Sequence, residues 1–321
     1  MADKTKIQWT NATWNPTTGC DKVSKGCRLC YAEKEWKRLS KNPKSIYYGR
    51  KFTDVQEHVE RLSWPMKLKD PHMIFVDSMS DLFHDAIPDY FIHDVLATMA
   101  ACPHHIFQLL TKRSERMVKM LNSDYFPDKF REDYGLDVAW PLPNVWIGTS
   151  AEDQETLDQR IVHLFDTPAT VRWLSLEPQL ANVNFDVCNG LYFYNYLTGI
   201  KYHDAPDDMP QTQEQGPKLD WVVVGGESGR FDKVTPYCLS WARNVIYDCK
   251  HAEVPVYMKQ LGRRPYETDP EGDLDDEWPI GKEYKLKHPK GVDMSEWPSE
   301  YLKVRQYPNQ VALGNFIDIK T

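Results

Sequence analysis

Seven short, largely apolar runs recur along the 321-residue chain, and they constrain its fold more than any other feature. They are IQWTNATW (7–14), MIFVDS (73–78), IFQLLT (106–111), NVWIGT (144–149), VRWLSL (171–176), DWVVVG (220–225) and VPVYMK (254–259). Most are near-continuous rather than alternating, the pattern of strands buried on both faces in a parallel sheet. Between them lie stretches of helical spacing at 86–102, 114–122, 151–165 and 236–252, the first and last with a leading proline, Pro88 and Pro236. Strand and helix in alternation form a βα series. The expectation is an α/β fold, either a TIM-like or partial barrel of six or seven units or a doubly wound open sheet. No G-x-G-x-x-G follows the first run and no G-x-x-x-x-G-K-[ST] occurs, so dinucleotide and P-loop sites are poorly supported.

Each run delivers polar residues at its carboxyl end, the face that carries active sites in βα barrels. Asp77, Ser78, Ser80 and Asp81 follow the second run, and Thr111, Lys112 and Arg113 the third. Thr149, Ser150 and Glu152 follow the fourth, Ser175 and Glu177 the fifth. Gly225, Gly226, Glu227 and Ser228 follow the sixth, Lys259 and Gln260 the seventh. The plain alternative for any one of them is a helix N-cap or an ion pair, and Ser114 and Ser150 are N-cap candidates.

The loop after the first run holds Cys20, Cys27 and Cys30, spaced by six and then two residues, in TTGCDKVSKGCRLCYAEK (17–34). Cys30 opens a predicted helix. Nothing at the N-terminus reads as a secretory signal and no apolar run approaches the roughly 18 residues of a membrane span, so a cytoplasmic location is expected. Thiols stay reduced there, and clustered cysteines favour metal or redox chemistry over disulfides. A closed zinc site needs four ligands. His72, His84, Cys102 and His104 are available for the fourth place, none at a paired zinc spacing. An iron–sulfur cluster on three thiolates would keep one iron open. Cys102, Cys188, Cys238 and Cys249 read as small core residues or free thiols.

The net charge of −8 argues against nucleic-acid binding by global charge. One local stretch is basic: KEWKRLSKNPKSIYYGRKF (34–52) carries Lys34, Lys37, Arg38, Lys41, Lys44, Arg50 and Lys51 with Trp36, Tyr47, Tyr48 and Phe52 interleaved. That mixture suits a phosphate backbone with stacked bases, against the alternative of a solvated helix face and loop. Two segments stand outside the βα series. Residues 186–219 form a long insertion, and residues 263–321 read as an irregular C-terminal extension to a domain spanning 1–262.

The stretches TGCDKVSKGCRLCYAE, DSMSDLFHDAIP, FQLLTKRSERM, NVWIGTSAED, LSLEP and DWVVVGGESG lie between about residues 7 and 262. On them the chain resembles a phage-associated three-cysteine family that is similar to radical S-adenosylmethionine enzymes. The superfamily's usual cysteine spacing is three then two residues, and its usual Gly-Gly-Glu follows the second strand; here the spacing is six then two, and Gly225-Gly226-Glu227 follow the sixth run. The resemblance implies a partial (β/α)6–7 barrel of the radical S-adenosylmethionine type. Cys20, Cys27 and Cys30 would bind three irons of a [4Fe–4S] cluster, and S-adenosylmethionine would chelate the fourth. Ser78, Ser80 and Asp81 suit the ligand's ammonium group, and Lys112 or Arg113 its carboxylate. Ser150 or Glu152 suits the ribose hydroxyls. Gly225 and Gly226 permit close backbone approach of adenine or substrate, and Glu177 and Glu227 are left for the remaining contacts. The implied activity is radical chemistry on a nucleic-acid base or nucleotide, such as isomerisation of an aminoacyl-modified thymidine in phage DNA, with an external electron donor and the host cytoplasm as location. A DNA photoproduct lyase and a non-catalytic, zinc-stabilised nucleic-acid-binding protein are the alternatives.

Overall fold

The computed structural model describes residues 4–122, 125–188, 192–203, 213–268 and 281–308. Two compact units divide the chain: one runs to Ser150 and includes Gln159–Val171, the other comprises Ala151–Asp158 and Arg172–Pro308. Seven strands form the main sheet: β1 (Ala12–Trp14), β2 (Met73–Val76), β3 (Ile106–Thr111), β4 (Val145–Ala151), β5 (Val171–Leu176), β6 (Trp221–Gly225) and β7 (Val256–Gln260). Their order in the sheet is the order of the sequence. A doubly wound sheet reverses its order at a switch point; this one does not, and a mixed α/β fold with a seven-stranded parallel sheet is compatible with a partial barrel.

In the first unit β1 pairs with β2, β2 with β3, and β3 with β4, all parallel, with Ala12 opposite Ile74, Met73 opposite Ile106 and Phe107 opposite Val145. All residues of β2 and β4 are buried, which is why their sequences do not alternate. Trp14 and Phe107 pack with centroids 5.8 Å apart, and the Trp14 indole N–H donates to the Arg61 carbonyl at 2.8 Å. The hydrogen bond leaves no polar group of this buried ring unsatisfied. In the second unit Leu174 of β5 lies opposite Val222 of β6, and Val222 opposite Val256 of β7. Trp173 and Trp221, both fully buried, pack at 5.3 Å.

The predicted helices appear as α1 (Tyr31–Leu39), α2 (Asp89–Ala100), α3 (Ser114–Leu121), α5 (Gln154–Asp166) and α6 (Leu239–His251). A further helix, α4 (Tyr125–Tyr134), was not expected. Neither serine proposed as an N-cap acts as one. Ser114 lies inside α3, where its hydroxyl meets His163 Nδ1 at 3.0 Å, and the α5 start is capped by Asp153 Oδ1, which accepts from the Thr156 N–H at 3.0 Å. The first strand is shorter than expected: ahead of Ala12 the Met73 N–H donates to Asn11 Oδ1 at 2.9 Å in place of a backbone carbonyl. The insertion is not structureless. Asp186–Cys188, Tyr192–Asn195, Ile200–His203 and Gln213–Gln215 make a four-stranded antiparallel sheet. The extension is partly ordered into strands too: Pro265–Thr268 pairs with Tyr237–Cys238 and with Gly281–Glu283. Most of the acidic run ETDPEGDLDDE (267–277) in this extension lies outside the described residues. Among the described residues, no helix is long and apolar enough to cross a membrane.

Candidate metal centre

The cysteine loop is fixed from both sides. Gly19 sits at φ 93°, where a Cβ would lie 2.5 Å from the Asp54 carbonyl oxygen, so only glycine fits. Its N–H donates to the Met79 carbonyl at 3.2 Å, and the Cys20 N–H donates to the Phe52 carbonyl at 2.9 Å. Cys27 ends a short 3-10 turn, Lys25–Cys27. Cys30 precedes α1, and its carbonyl accepts from the Lys34 N–H at 3.1 Å. The thiol of Cys30 therefore stands at a helix N-terminus, whose partial positive charge favours anionic sulfur. All three cysteines are half-buried. They share this loop, but among the described residues no three His, Cys, Asp or Glu side chains are drawn together into a metal-binding group. Cys102, Cys238 and Cys249 are buried and Cys188 is exposed, as expected of core residues and a free thiol.

Cys20 is the cysteine most coupled to the strand ends. Arg113 Nη1 lies 3.6 Å from its sulfur and 3.4 Å from Asp81 Oδ2, and the same guanidinium pairs with Asp21. Burial, and next the charge of Asp81, push the Cys20 thiol up to about 12 against the opposing pull of Arg113. Burial likewise raises Cys30. Neither thiol ionises readily by itself, and a bound cation is what converts such thiols to thiolates. Three thiols on one loop are also a soft donor set, which suits iron–sulfur or zinc better than a hard cation. The residues therefore fit a [4Fe–4S] group by donor chemistry.

Asp81 organises the β2 and β3 ends. Its carboxylate accepts from the Thr111 hydroxyl at 2.7 Å and from the N–H groups of Lys112 and Phe83, each at 3.1 Å. Thr111 also accepts from the Arg113 N–H at 2.8 Å. Replacing Thr111 with valine is expected to lower stability by about 1–3 kcal/mol, since the buried Asp81 carboxylate and the Arg113 N–H lose a hydrogen bond at once; urea unfolding reads it. Ser78 and Ser80 are engaged within the loop: Ser78 donates to Asn15 Oδ1 at 3.0 Å, and Ser80 donates to the Thr17 carbonyl at 2.9 Å.

Asp77, to which the sequence assigned no role, is the most unusual residue here. It holds φ 58°, a left-handed conformation uncommon for a non-glycine residue, and is 5% exposed. Its Oδ1 accepts from the Thr17 N–H at 3.1 Å, while Oδ2 meets no donor among the described residues. Burial raises its carboxyl to about 7 despite the lowering pull of Ser80 and Thr17 beside it. Its signal in the sequence is position alone: it is the first polar residue after the apolar run of β2.

The second unit carries its own cluster. Glu177, after β5, pairs with Lys259 of β7 at 2.5 Å. The two side chains reach across β6 at Gly225, where the β6–β7 register shifts. A Cβ on Gly225 would stand 3.2 Å from the Gln260 side chain, and one on Gly226 2.6 Å from the Leu261 carbonyl oxygen and 2.8 Å from the Tyr237 ring. The chain itself thus makes the close approach that these glycines permit. Glu227 is buried and accepts from the Thr235 N–H at 2.7 Å. Glu152 is also buried, its carbonyl accepting from the Leu180 N–H at 2.7 Å. In the first unit, the Ser150 carbonyl accepts from Arg160 at 2.7 Å.

The basic stretch is not a stacking platform. Trp36 is buried, with Tyr47 at 4.6 Å and Phe52 at 5.5 Å edge-on to it, and Arg50 lies over its ring. Three of the four aromatics thus build a small core with Ala32 and Met79, against which Cys30 packs. Only Tyr48 of the four is exposed.

A parallel α/β sheet with a cysteine loop after its first strand is the class these observations define. Over residues 4–298 the chain matches a family of proteins of unknown function, DUF5131, and it belongs to that family. No curated protein and no solved structure matches it.

Proposed function

We propose that this protein is a radical S-adenosylmethionine enzyme acting on a nucleic-acid base. The observation that carries the reading is the placement of three half-buried thiols between β1 and α1, at the carboxyl end of a parallel sheet, with Arg113 and Asp81 bearing on Cys20. Cys20, Cys27 and Cys30 would hold the [4Fe–4S] group. When bound, that group supplies the electron that cleaves the sulfonium of S-adenosylmethionine to a 5′-deoxyadenosyl radical. Arg113 offers a guanidinium to the ligand's carboxylate, with Lys112 beside it in sequence. Asp77 and Asp81, with Ser78 and Ser80, offer acceptors to its ammonium group. Ser150 or Glu152 is proposed for the ribose, and Glu177 and Glu227 for adenine or substrate. The base, thymine of phage DNA undergoing hypermodification by isomerisation, rests on the resemblance to the phage-associated family.

The test is anaerobic cluster reconstitution, then incubation with S-adenosylmethionine, reductant and phage DNA, with products read by mass spectrometry. The expected products are 5′-deoxyadenosine and an altered nucleoside. A lesion returned to two thymines in irradiated DNA would assign the lyase reaction instead. A colourless protein holding one tight zinc would overturn the reading in favour of a binding module.

A further inference from the structure

We infer that residues 34–51 form a docking surface for a small acidic one-electron carrier protein, an inference that rests on the cluster reading above. The segment is an excursion clamped to the cysteines at both ends. It leaves from Cys30, which opens α1, and returns at Phe52, whose carbonyl accepts from the Cys20 N–H at 2.9 Å. Trp36 stitches its middle: the indole N–H donates to the Arg50 carbonyl at 3.0 Å, and the Gly49 N–H donates to the Ser40 carbonyl at 3.0 Å. The helix and the loop after it therefore present one held surface rather than a loose tail.

That surface is cationic. Seven Lys and Arg residues stand against the single acid Glu35 between positions 34 and 52, in a chain whose net charge is −8. Lys37, Arg38 and Arg50 are paired with Glu33, Glu35 and Asp54. Lys34, Lys41, Lys44 and Lys51 are exposed and have no ion-pair partner among the described residues. An unpaired cationic rim on an acidic protein steers an acidic partner to this place.

Between Lys44 and Lys51 in the sequence stand Ile46, 44% exposed, and Tyr48, 55% exposed. This pair decides between the two kinds of acidic macromolecule. An exposed aliphatic side chain offers nothing to a phosphate backbone, and three of the four aromatics that could stack bases are spent on the core around Trp36. A few apolar groups inside a charged rim are the anatomy of a protein–protein contact. The electron explains the location. Transfer weakens steeply with distance, and the segment begins at Cys30 and is hydrogen-bonded back to Cys20 at Phe52. At this surface one electron leaves the reduced carrier, which is oxidised by one electron, and passes to the iron–sulfur group; no bond or proton is exchanged.

The test titrates the full chain with an acidic flavodoxin by calorimetry, at low and at high salt, and repeats it with the variant K34E/K41E/K44E/K51E and with I46S. The native chain is expected to bind at low salt and to weaken as salt rises. The fourfold variant is expected to lose about tenfold or more in affinity, and I46S to weaken binding without changing its salt dependence. K34R/K41R/K44R/K51R is expected to bind like the native chain, and circular dichroism to match for all. No binding by the native chain, or an unchanged affinity in the fourfold variant, overturns the proposal. So does a variant that loses single-stranded DNA while keeping the carrier. With dithionite, which needs no docking, the fourfold variant is expected to form 5′-deoxyadenosine at the native rate. A native chain that binds the carrier yet forms none with dithionite overturns the cluster reading and leaves the docking surface standing.

Discussion

Replacing Cys27 with alanine is expected to give a folded, colourless protein that releases no 5′-deoxyadenosine. Cys27 is only half-buried, at the end of a 3-10 turn, where its N–H donates to the Ser24 carbonyl at 3.0 Å and its sulfur lies 3.8 Å from the Ser24 hydroxyl. Alanine keeps the backbone bond and removes little packing, so the melting temperature of the metal-free chain should barely move. What the change removes is one of the three thiols proposed to hold the cluster. Two cannot hold a cluster of this type against loss to solvent, because thiolate ligands are what fix it. Cys249→Ala is the matched control. Cys249 is fully buried on α6, so its loss should cost about 1 kcal/mol of stability through the small cavity left and leave colour and turnover unchanged. Cleavage of S-adenosylmethionine by the Cys27 variant would contradict the assignment.

The second large effect is expected at Asp77. A carboxyl with an ordinary value of 3.8 unfolded and about 7 folded favours the native state while it is protonated. Its contribution is fully present below pH 3.8 and is lost as pH rises through 7. Asparagine cannot ionise, accepts from the Thr17 N–H at the same oxygen, and tolerates the left-handed backbone. Asp77→Asn should therefore match the native protein near pH 3.5 and exceed it by up to about 4 kcal/mol at pH 8 in urea unfolding. The gain in stability should come with a loss of S-adenosylmethionine affinity, since sites that bind cations keep costly buried carboxylates. A difference that does not vary with pH would mean that Asp77 is ionised in the folded chain.

Much of the scaffold was legible in the sequence because strands buried on both faces must be apolar throughout: β2 to β7 all fall within or beside the runs that announced them. The four-stranded insertion was missed although it carried a turn signal, Thr198-Gly199, with Gly199 at φ 71° between YFYN and IKYH. Its short strands hold polar and aromatic residues in no clean alternation. Helix α4 was hidden by Pro127 and by its charged residues. The packing of the basic stretch was hidden for a different reason. Composition reports which residues are present, but not that Trp36, Tyr47 and Phe52 would turn inward to meet one another. Asp81 and Arg113 were visible as strand-end polar residues. That they bear on Cys20 follows from the β2–β3 pairing, which brings together residues far apart in the chain.

The central claim is that Cys20, Cys27 and Cys30 hold a cluster with one open iron. Iron and sulfide content after anaerobic reconstitution, together with the electron paramagnetic resonance of the reduced protein before and after S-adenosylmethionine is added, tests it most directly. The account predicts about four irons and four sulfides per chain and a spectrum that changes on adding S-adenosylmethionine. One tightly held zinc, or a cluster signal indifferent to S-adenosylmethionine, would contradict it.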